Sequence, residues 1–298
     1  SLPTRRSRVR PPLPAPLIKI MIIWIASYPK SGNTYLRSFL TSYYFSKDGK
    51  FDFNLLPNIS QFPSLRYSDT KSYTYPEAAK NWIKNQKQFF NKEKLFFLKT
   101  HNSLEEYFGH RFTKSSETMG AIYIVRDPRN VISSMCNHYS MNFSETYNKM
   151  IDENASLSFK DSEGDLSNFS FLGSWSNHYK SWKNNFEFKT LFIRYEDLEK
   201  NAYEEFWKIL TFIEKITDKN EPINKRKFEN SINSTNFSNL KQKEKQHGFE
   251  ESLTYKSNSK TNFFNLGFDN KWQQNLPEEI SNKIKDKFYS ELKELKYE

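Results

Sequence analysis

The chain has 298 residues, 45 Lys or Arg against 35 Asp or Glu, a formal charge of +10 and one cysteine, Cys136. That length suits one large α/β domain or two small ones. A single cysteine excludes an intramolecular disulfide framework and any cysteine-cluster metal site, and no run of about 18 apolar residues exists to span a membrane.

Residues 1–20 carry Arg5, Arg6, Arg8, Arg10 and Lys19 and no acid, so half of the positive excess lies there. The remainder is mildly basic, which suits a small polyanionic ligand at least as well as a nucleic acid. Residues 1–17 are expected to be a basic Pro/Arg-rich extension, disordered or added ahead of a natural start near Met21. They lack the apolar core of a secretory signal, and a cytoplasmic protein is expected. No linker divides residues 18–298, which read as one domain.

The first element is a buried strand over 18–26, nearly continuous in hydrophobes from Ile18 to Ala26. It runs through Ser27-Tyr28-Pro29-Lys30-Ser31-Gly32 into a helix over 34–45, with Tyr35, Leu36, Phe39, Leu40 and Tyr43 on one side. A strand-to-helix turn of this kind aims free backbone N–H groups and a helix N-terminus at one point, which is an anion site. It is not the nucleotide loop Gly-x-x-x-x-Gly-Lys-Ser/Thr, because Lys30 precedes Gly32.

Further short apolar runs at 95–98, 121–125 and 190–193 read as strands, the run at 121–125 preceded by Gly120. Helical patterns follow them, with Val131, Ile132, Met135 and Tyr139 on one face and Tyr203, Phe206, Trp207, Leu210 and Ile213 on another. Strands alternating with helices predict a three-layer α/β/α fold around a central parallel sheet. Near the C-terminus Pro277 opens a helix carrying Ile280, Ile284, Phe288, Leu292 and Leu295. The stretches 48–93, 140–170 and 240–265 lack clean periodicity and are expected to hold short helices and lids around a pocket.

The order Tyr28-Pro29-Lys30-Ser31-Gly32-Asn33-Thr34 resembles the 5′-phosphosulfate loop of sulfotransferases that use 3′-phosphoadenosine 5′-phosphosulfate. The resemblance implies a P-loop-like fold, with residues 30–35 cradling the donor. Lys30 would stabilise charge on the leaving oxygen. Ser31, Asn33 and Thr34 would add donors, Gly32 would let the backbone approach the anion, and Tyr35 would stack on adenine. Lys99-Thr100-His101 is similar to the family's Lys-Thr/Ser-His triplet, which makes His101 the base and Lys99 a partner of the sulfonate.

Arg126-Asp127-Pro128-Arg129-Asn130, with Ser134 eight residues after Arg126, resembles the family's 3′-phosphate motif. Arg126 and Ser134 are then the phosphate ligands, Asp127 a helix cap, and Arg129 a residue on the solvent side. Tyr195-Glu196-Asp197 resembles the segment whose tyrosine contacts adenine, with the two acids as caps or structural acceptors. The segment Gly173-Ser174-Trp175 with His178 and Trp182 also matches, its aromatics read as core and His178 as structural. Thr235 and Phe237 match a segment that covers the adenine.

The late segment Phe263-Phe264-Asn265-Leu266-Gly267 keeps Gly267 but lacks the family's Arg-Lys pair. Lys241, Lys256 and Lys260 are the candidates to replace it. The implied activity moves a sulfuryl group in line to a hydroxyl of a small molecule or carbohydrate, without metal, in a monomer or homodimer. A nucleotide-binding phosphotransferase would need a Mg²⁺ site and the other loop, and a nucleic-acid-binding protein would need a recognised motif. A catalytically idle relative is the third alternative.

Overall fold

The computed structural model describes residues 22–89, 96–159, 161–218, 221–249, 251, 262–265 and 267–298. Residues 1–21, Leu95, Lys256, Lys260 and Leu266, named in the sequence reading, lie outside them.

The central sheet has four parallel strands, β1 (Ile22–Ser27), β2 (Phe96–Thr100), β3 (Thr118–Val125) and, further on, β6 (Thr190–Arg194). Their order is β2-β1-β3-β6. All six residues of β1 are buried because alternate side chains enter opposite layers. Ile22, Trp24 and Ala26 join a core with Val131, Trp175 and Phe288, while Ile23 and Ile25 join one with Leu36, Phe39 and Phe206.

Helix α1 (Asn33–Phe45) follows β1, and α2 (Tyr75–Gln86) precedes β2, opened by a Thr74–Glu77 capping box. After β3 come α3 (Pro128–Tyr139), α4 (Phe143–Ile151) and a two-residue antiparallel pair, β4 (Ser156–Leu157) and β5 (Ser170–Phe171). Then follow α5 (Trp175–Lys183), β6, α6 (Tyr195–Lys200), α7 (Ala202–Thr217), α8 (Lys225–Thr235) and α9 (Phe237–His247). The described chain closes with α10 (Trp272–Asn275), α11 (Glu278–Lys287) and α12 (Tyr289–Glu294). No helix among the described residues is long and apolar enough to cross a membrane.

Three details differ from expectation. Strand β3 starts at Thr118, so Gly120 lies inside it. A Cβ on Gly120 would sit 2.8 Å from Ile216 Cδ1 and 3.1 Å from Lys189 O, so the missing side chain admits α7 against the strand. The C-terminal pattern is two helices broken at Phe288, although Ile280, Ile284, Phe288, Leu292 and Leu295 still share one core.

Arg129 is not on the solvent side; it is 2% exposed. Asp127 caps α3 by accepting from Arg129 N–H at 2.9 Å, and its carboxylate also takes Arg129 Nε and Nη2 at 3.0 and 2.8 Å. Tyr297 O accepts from Nη2 at 2.9 Å, Glu298 pairs with Nη1, and the Trp272 ring lies 4.1 Å from the guanidinium carbon. These partners, most of them distant in sequence, supply what a buried guanidinium needs.

The order of the sheet reverses between β1 and β3, which opens a crevice beyond their carboxyl ends. The loop after β1, the end of β2 and the end of β3 all emerge there, carrying Lys30, Lys99 with His101, and Arg126.

Candidate functional site

The loop after β1 is held in a shape few sequences adopt. Lys30 has φ +63° and Gly32, the N-cap of α1, has φ +100°. The first amides of α1 precede its first backbone bond, from Leu36 N–H to Gly32 O, and are open to an anion. A Cβ on Gly32 would lie 2.3 and 2.7 Å from Cδ2 and Cε2 of Tyr195. Gly32→Ala therefore meets both the left-handed backbone cost and the ring. It is expected to destabilise the fold by about 2 kcal/mol, read as a lower urea midpoint; an unchanged midpoint would show that the ring yields freely.

Asn33 Nδ2 donates to Ile25 O at 3.0 Å and to Ser27 Oγ at 3.2 Å, which ties the helix start to β1. The side-chain N–H groups expected to face an anion thus face the strand. His101 Nδ1 lies 2.7 Å from Ser27 O. A carbonyl only accepts, so Nδ1 carries the proton and Nε2 keeps its lone pair. Burial and the nearby Lys99 charge hold the His101 pKa well below the usual imidazole range, so the ring is neutral.

His178 is fully buried and donates from Nε2 to His101 O at 3.0 Å, while Tyr123 OH donates to its Nδ1 at 2.9 Å. Burial lowers its pKa to about 4. This is the structural role expected of it, and Trp175 and Trp182 are core as expected.

Three cationic side chains converge. Arg126 donates from Nη1 to Lys30 O at 3.2 Å and from Nη2 to Gly267 O at 3.1 Å, and stacks 4.3 Å above the Tyr195 ring. Its Nε is buried without a hydrogen-bond partner among the described residues, as is Ser133 Oγ. Lys30 Nζ lies 3.9 Å from the Phe263 ring centroid. Burial, Lys99 and Arg126 pull the Lys30 pKa down to about 7. Lys99 is also lowered by burial, with Glu251 Oε2 3.7 Å from its Nζ opposing the shift.

These groups line one cavity of about 560 Å³. Of the residues singled out from the sequence, Lys30, Gly32, Asn33, Thr34, Tyr35, Lys99, His101, Arg126, Ser134, Tyr195, Phe237 and Gly267 lie on its wall. Tyr35 packs edge-on to Phe206 and Phe268, and Phe237 lies where a Cβ on Gly267 would be, 2.2 Å from its Cζ.

Ser31, Thr235 and Lys241 are off the wall. Ser31 is 1% exposed, and Thr235 is fully buried with its hydroxyl donating to Ser231 O at 2.7 Å. The α8 backbone thus satisfies a hydroxyl expected near a base. Lys241 donates to Asn265 O at 3.0 Å. The sequence reading missed Ser133, His138 and Glu251 on the wall and Arg37 behind it. Ser133 adjoins Ser134 and was within reach of the motif, but no spacing announces the others. Among the described residues no group of three or more His, Cys, Asp or Glu side chains is placed to hold a metal ion.

Comparison with known proteins gives the family and the fold. Residues 22–296 match the sulfotransferase domain. Over 102 residues the chain is 32% identical to Sulfotransferase 1B1 of Canis lupus familiaris, a match covering 34% of this chain and 32% of that protein, about a third of the relative's length. The structure is similar to mouse sulfotransferase SULT7A1 complexed with PAP (adenosine 3′,5′-bisphosphate), with TM-score 0.55, 18% identity and coverage of 91% of this chain and 84% of that one. It is also similar to retinol dehydratase in complex with androsterone and inactive cofactor PAP, with TM-score 0.56, 15% identity and coverage of 91% and 80%. A second retinol dehydratase structure, holding retinol and PAP, gives TM-score 0.56, 16% identity and coverage of 93% and 82%. At such identities these structures speak for the fold, and the domain match over 22–296 speaks for the family: this chain is a member of the sulfotransferase domain family.

Proposed function

We propose that the chain transfers a sulfuryl group from 3′-phosphoadenosine 5′-phosphosulfate to the hydroxyl of a small-molecule or carbohydrate acceptor. One domain over residues 18–298 would carry the reaction, in the cytoplasm, as a monomer or homodimer. The observation that carries this reading is the convergence of Lys30, Lys99, Arg126 and a tautomer-fixed His101 on one cavity. Buried Arg126 Nε and Ser133 Oγ, without a hydrogen-bond partner among the described residues, fit a phosphate there, because a buried polar group needs a partner. The PAP named in the related structures gives the donor class.

In this mechanism His101 Nε2 accepts the proton of the acceptor hydroxyl. The oxygen forms a bond to sulfur as the bond from sulfur to the bridging phosphate oxygen breaks. Lys30 Nζ stabilises the charge left on that oxygen, and Lys99 holds the transferring sulfonate. Arg126, Ser133 and Ser134 take the 3′-phosphate. Tyr35, Tyr195 and Phe237 face the adenine, and the amides of α1 face the 5′ anion. Thr235, off the wall, supports the adenine site only through packing.

Retinol and androsterone in the related structures are hydroxyl-bearing and largely apolar. The Leu65, Tyr139, Leu157 and Phe159 wall of this cavity suits an acceptor of that polarity.

Thermal melting with adenosine 3′,5′-bisphosphate or ATP tests the donor class. At a hundredfold excess over Kd the bisphosphate should stabilise the fold by about 2.7 kcal/mol, raising Tm by several degrees. ATP at the same concentration should do much less. Equal shifts, or none with the bisphosphate, would overturn the reading.

A further inference from the structure

The cationic end of the cavity contains one acid that the proposed chemistry does not use. Among the described residues on the wall, only Glu251 carries a carboxylate. Its Oε1 accepts from Arg37 Nη1 at 2.6 Å. Arg37 is itself fixed, donating from Nε to Ile59 O at 3.0 Å and from Nη2 to Leu56 O at 3.4 Å, and is 3% exposed. The other carboxylate oxygen accepts from Thr34 Oγ1 at 3.4 Å and lies 3.7 Å from Lys99 Nζ. One oxygen is thus anchored and the other is presented to the lysine.

We infer that Glu251 is a positioning residue for Lys99, a carboxylate clamped by Arg37 that keeps the Lys99 ammonium charged and aimed into the cavity. The use made of Lys99 rests on the sulfuryl-transfer reading; the clamp itself does not. Among the described residues the charged and titratable groups around Lys99 are Glu251, Arg37, Lys30, His101 and His138. Arg37 and Lys30 repel an ammonium, and burial and nearby lysine charge keep both imidazoles neutral. Of these groups only the acid favours the protonated form, and burial of Lys99, whose side chain is 13% exposed, makes that dependence strong. Glu251 itself is held well below the usual carboxylate range by Lys99 and Arg37, against the effect of burial, so it stays ionised.

Another function for this geometry is an anion stand-in, a carboxylate occupying the donor's place until the donor displaces it. The two differ in sign. A clamp helps the sulfonate bind when Lys99 would otherwise lose its proton, whereas a stand-in competes with the sulfonate at every pH.

Glu251→Gln separates them, and it keeps the side-chain length and an acceptor for Arg37. With ¹³C-labelled lysine, and Lys99→Arg to assign the signal, the Lys99 titration midpoint should fall by about one pH unit or more in Glu251→Gln. The loss of affinity for 3′-phosphoadenosine 5′-phosphosulfate on going from pH 6.5 to pH 8.5 should then be steeper in Glu251→Gln than in the unaltered protein, where Lys30 titrates over the same range. Adenosine 3′,5′-bisphosphate, which lacks the sulfonate, should lose far less. An unmoved Lys99 midpoint overturns the inference, as does tighter donor binding by Glu251→Gln at both pH values. Failure of the unaltered protein to bind either nucleotide would instead overturn the sulfuryl-transfer reading, with the Lys99 titration still deciding the clamp.

Discussion

His101→Ala is expected to lower turnover by about 10²–10⁴-fold, the range a positioned general base supplies. Affinity for adenosine 3′,5′-bisphosphate should survive, because His101 faces the acceptor in the proposed mechanism. Ser27 O fixes the Nδ1 proton, leaving Nε2 as the one basic nitrogen of the ring. Burial and Lys99 hold its pKa well below the ordinary imidazole value. The neutral, competent form therefore persists as pH falls, and kcat/KM should show no loss on the acid side near pH 6.5. Steady-state kinetics with labelled donor, paired with calorimetry of bisphosphate binding, measure both halves. His138 lines the same cavity, its pKa lowered to about 3 by burial and by Lys30 and Lys99. Normal turnover in His101→Ala, with loss in His138→Ala, would move the base to α3.

Lys30→Met should cost about 10²–10³-fold in kcat, comparable to removing one preorganised donor from a developing oxyanion. The lysine also predicts a pH dependence with a definite sign. Its pKa in the free protein is drawn down to about 7, first by burial and then by Lys99 and Arg126. The protonated form is the useful one, so kcat/KM should be level below pH 7 and decline above it. A bound polyanionic donor raises that pKa, so kcat should hold to higher pH than kcat/KM. Lys30→Arg keeps its charge throughout and should flatten the decline even if its rate is lower. A rate that rises through pH 7 in the unaltered protein would remove Lys30 from the leaving-group side.

The sequence made the strand ends readable because each motif is local: an apolar run followed within a few residues by Lys30, by Lys99 and His101, or by Arg126. The parallel sheet followed from the alternation of those runs with helical patterns, and the core strands at 22–27, 96–100, 118–125 and 190–194 agree with it. What stayed hidden depends on partners remote in sequence. Arg129 is interior because Tyr297 and Glu298 come to it from more than 160 residues away. Glu251 meets Arg37 across 214 residues. Thr235 turns from the cavity because a carbonyl of its own helix, four residues back, was available. Such pairings have no period and no spacing to betray them.

Because Lys30, His101 and Arg126 leave from adjoining strands, the hydrogen-bonded backbone itself acts as a ruler for the reacting groups, with rungs about 4.8 Å apart. Side chains elsewhere in the layers can then drift without changing that spacing. A lineage built this way can replace most of its residues and keep its chemistry in scale, which is compatible with a shared fold at 15–18% identity.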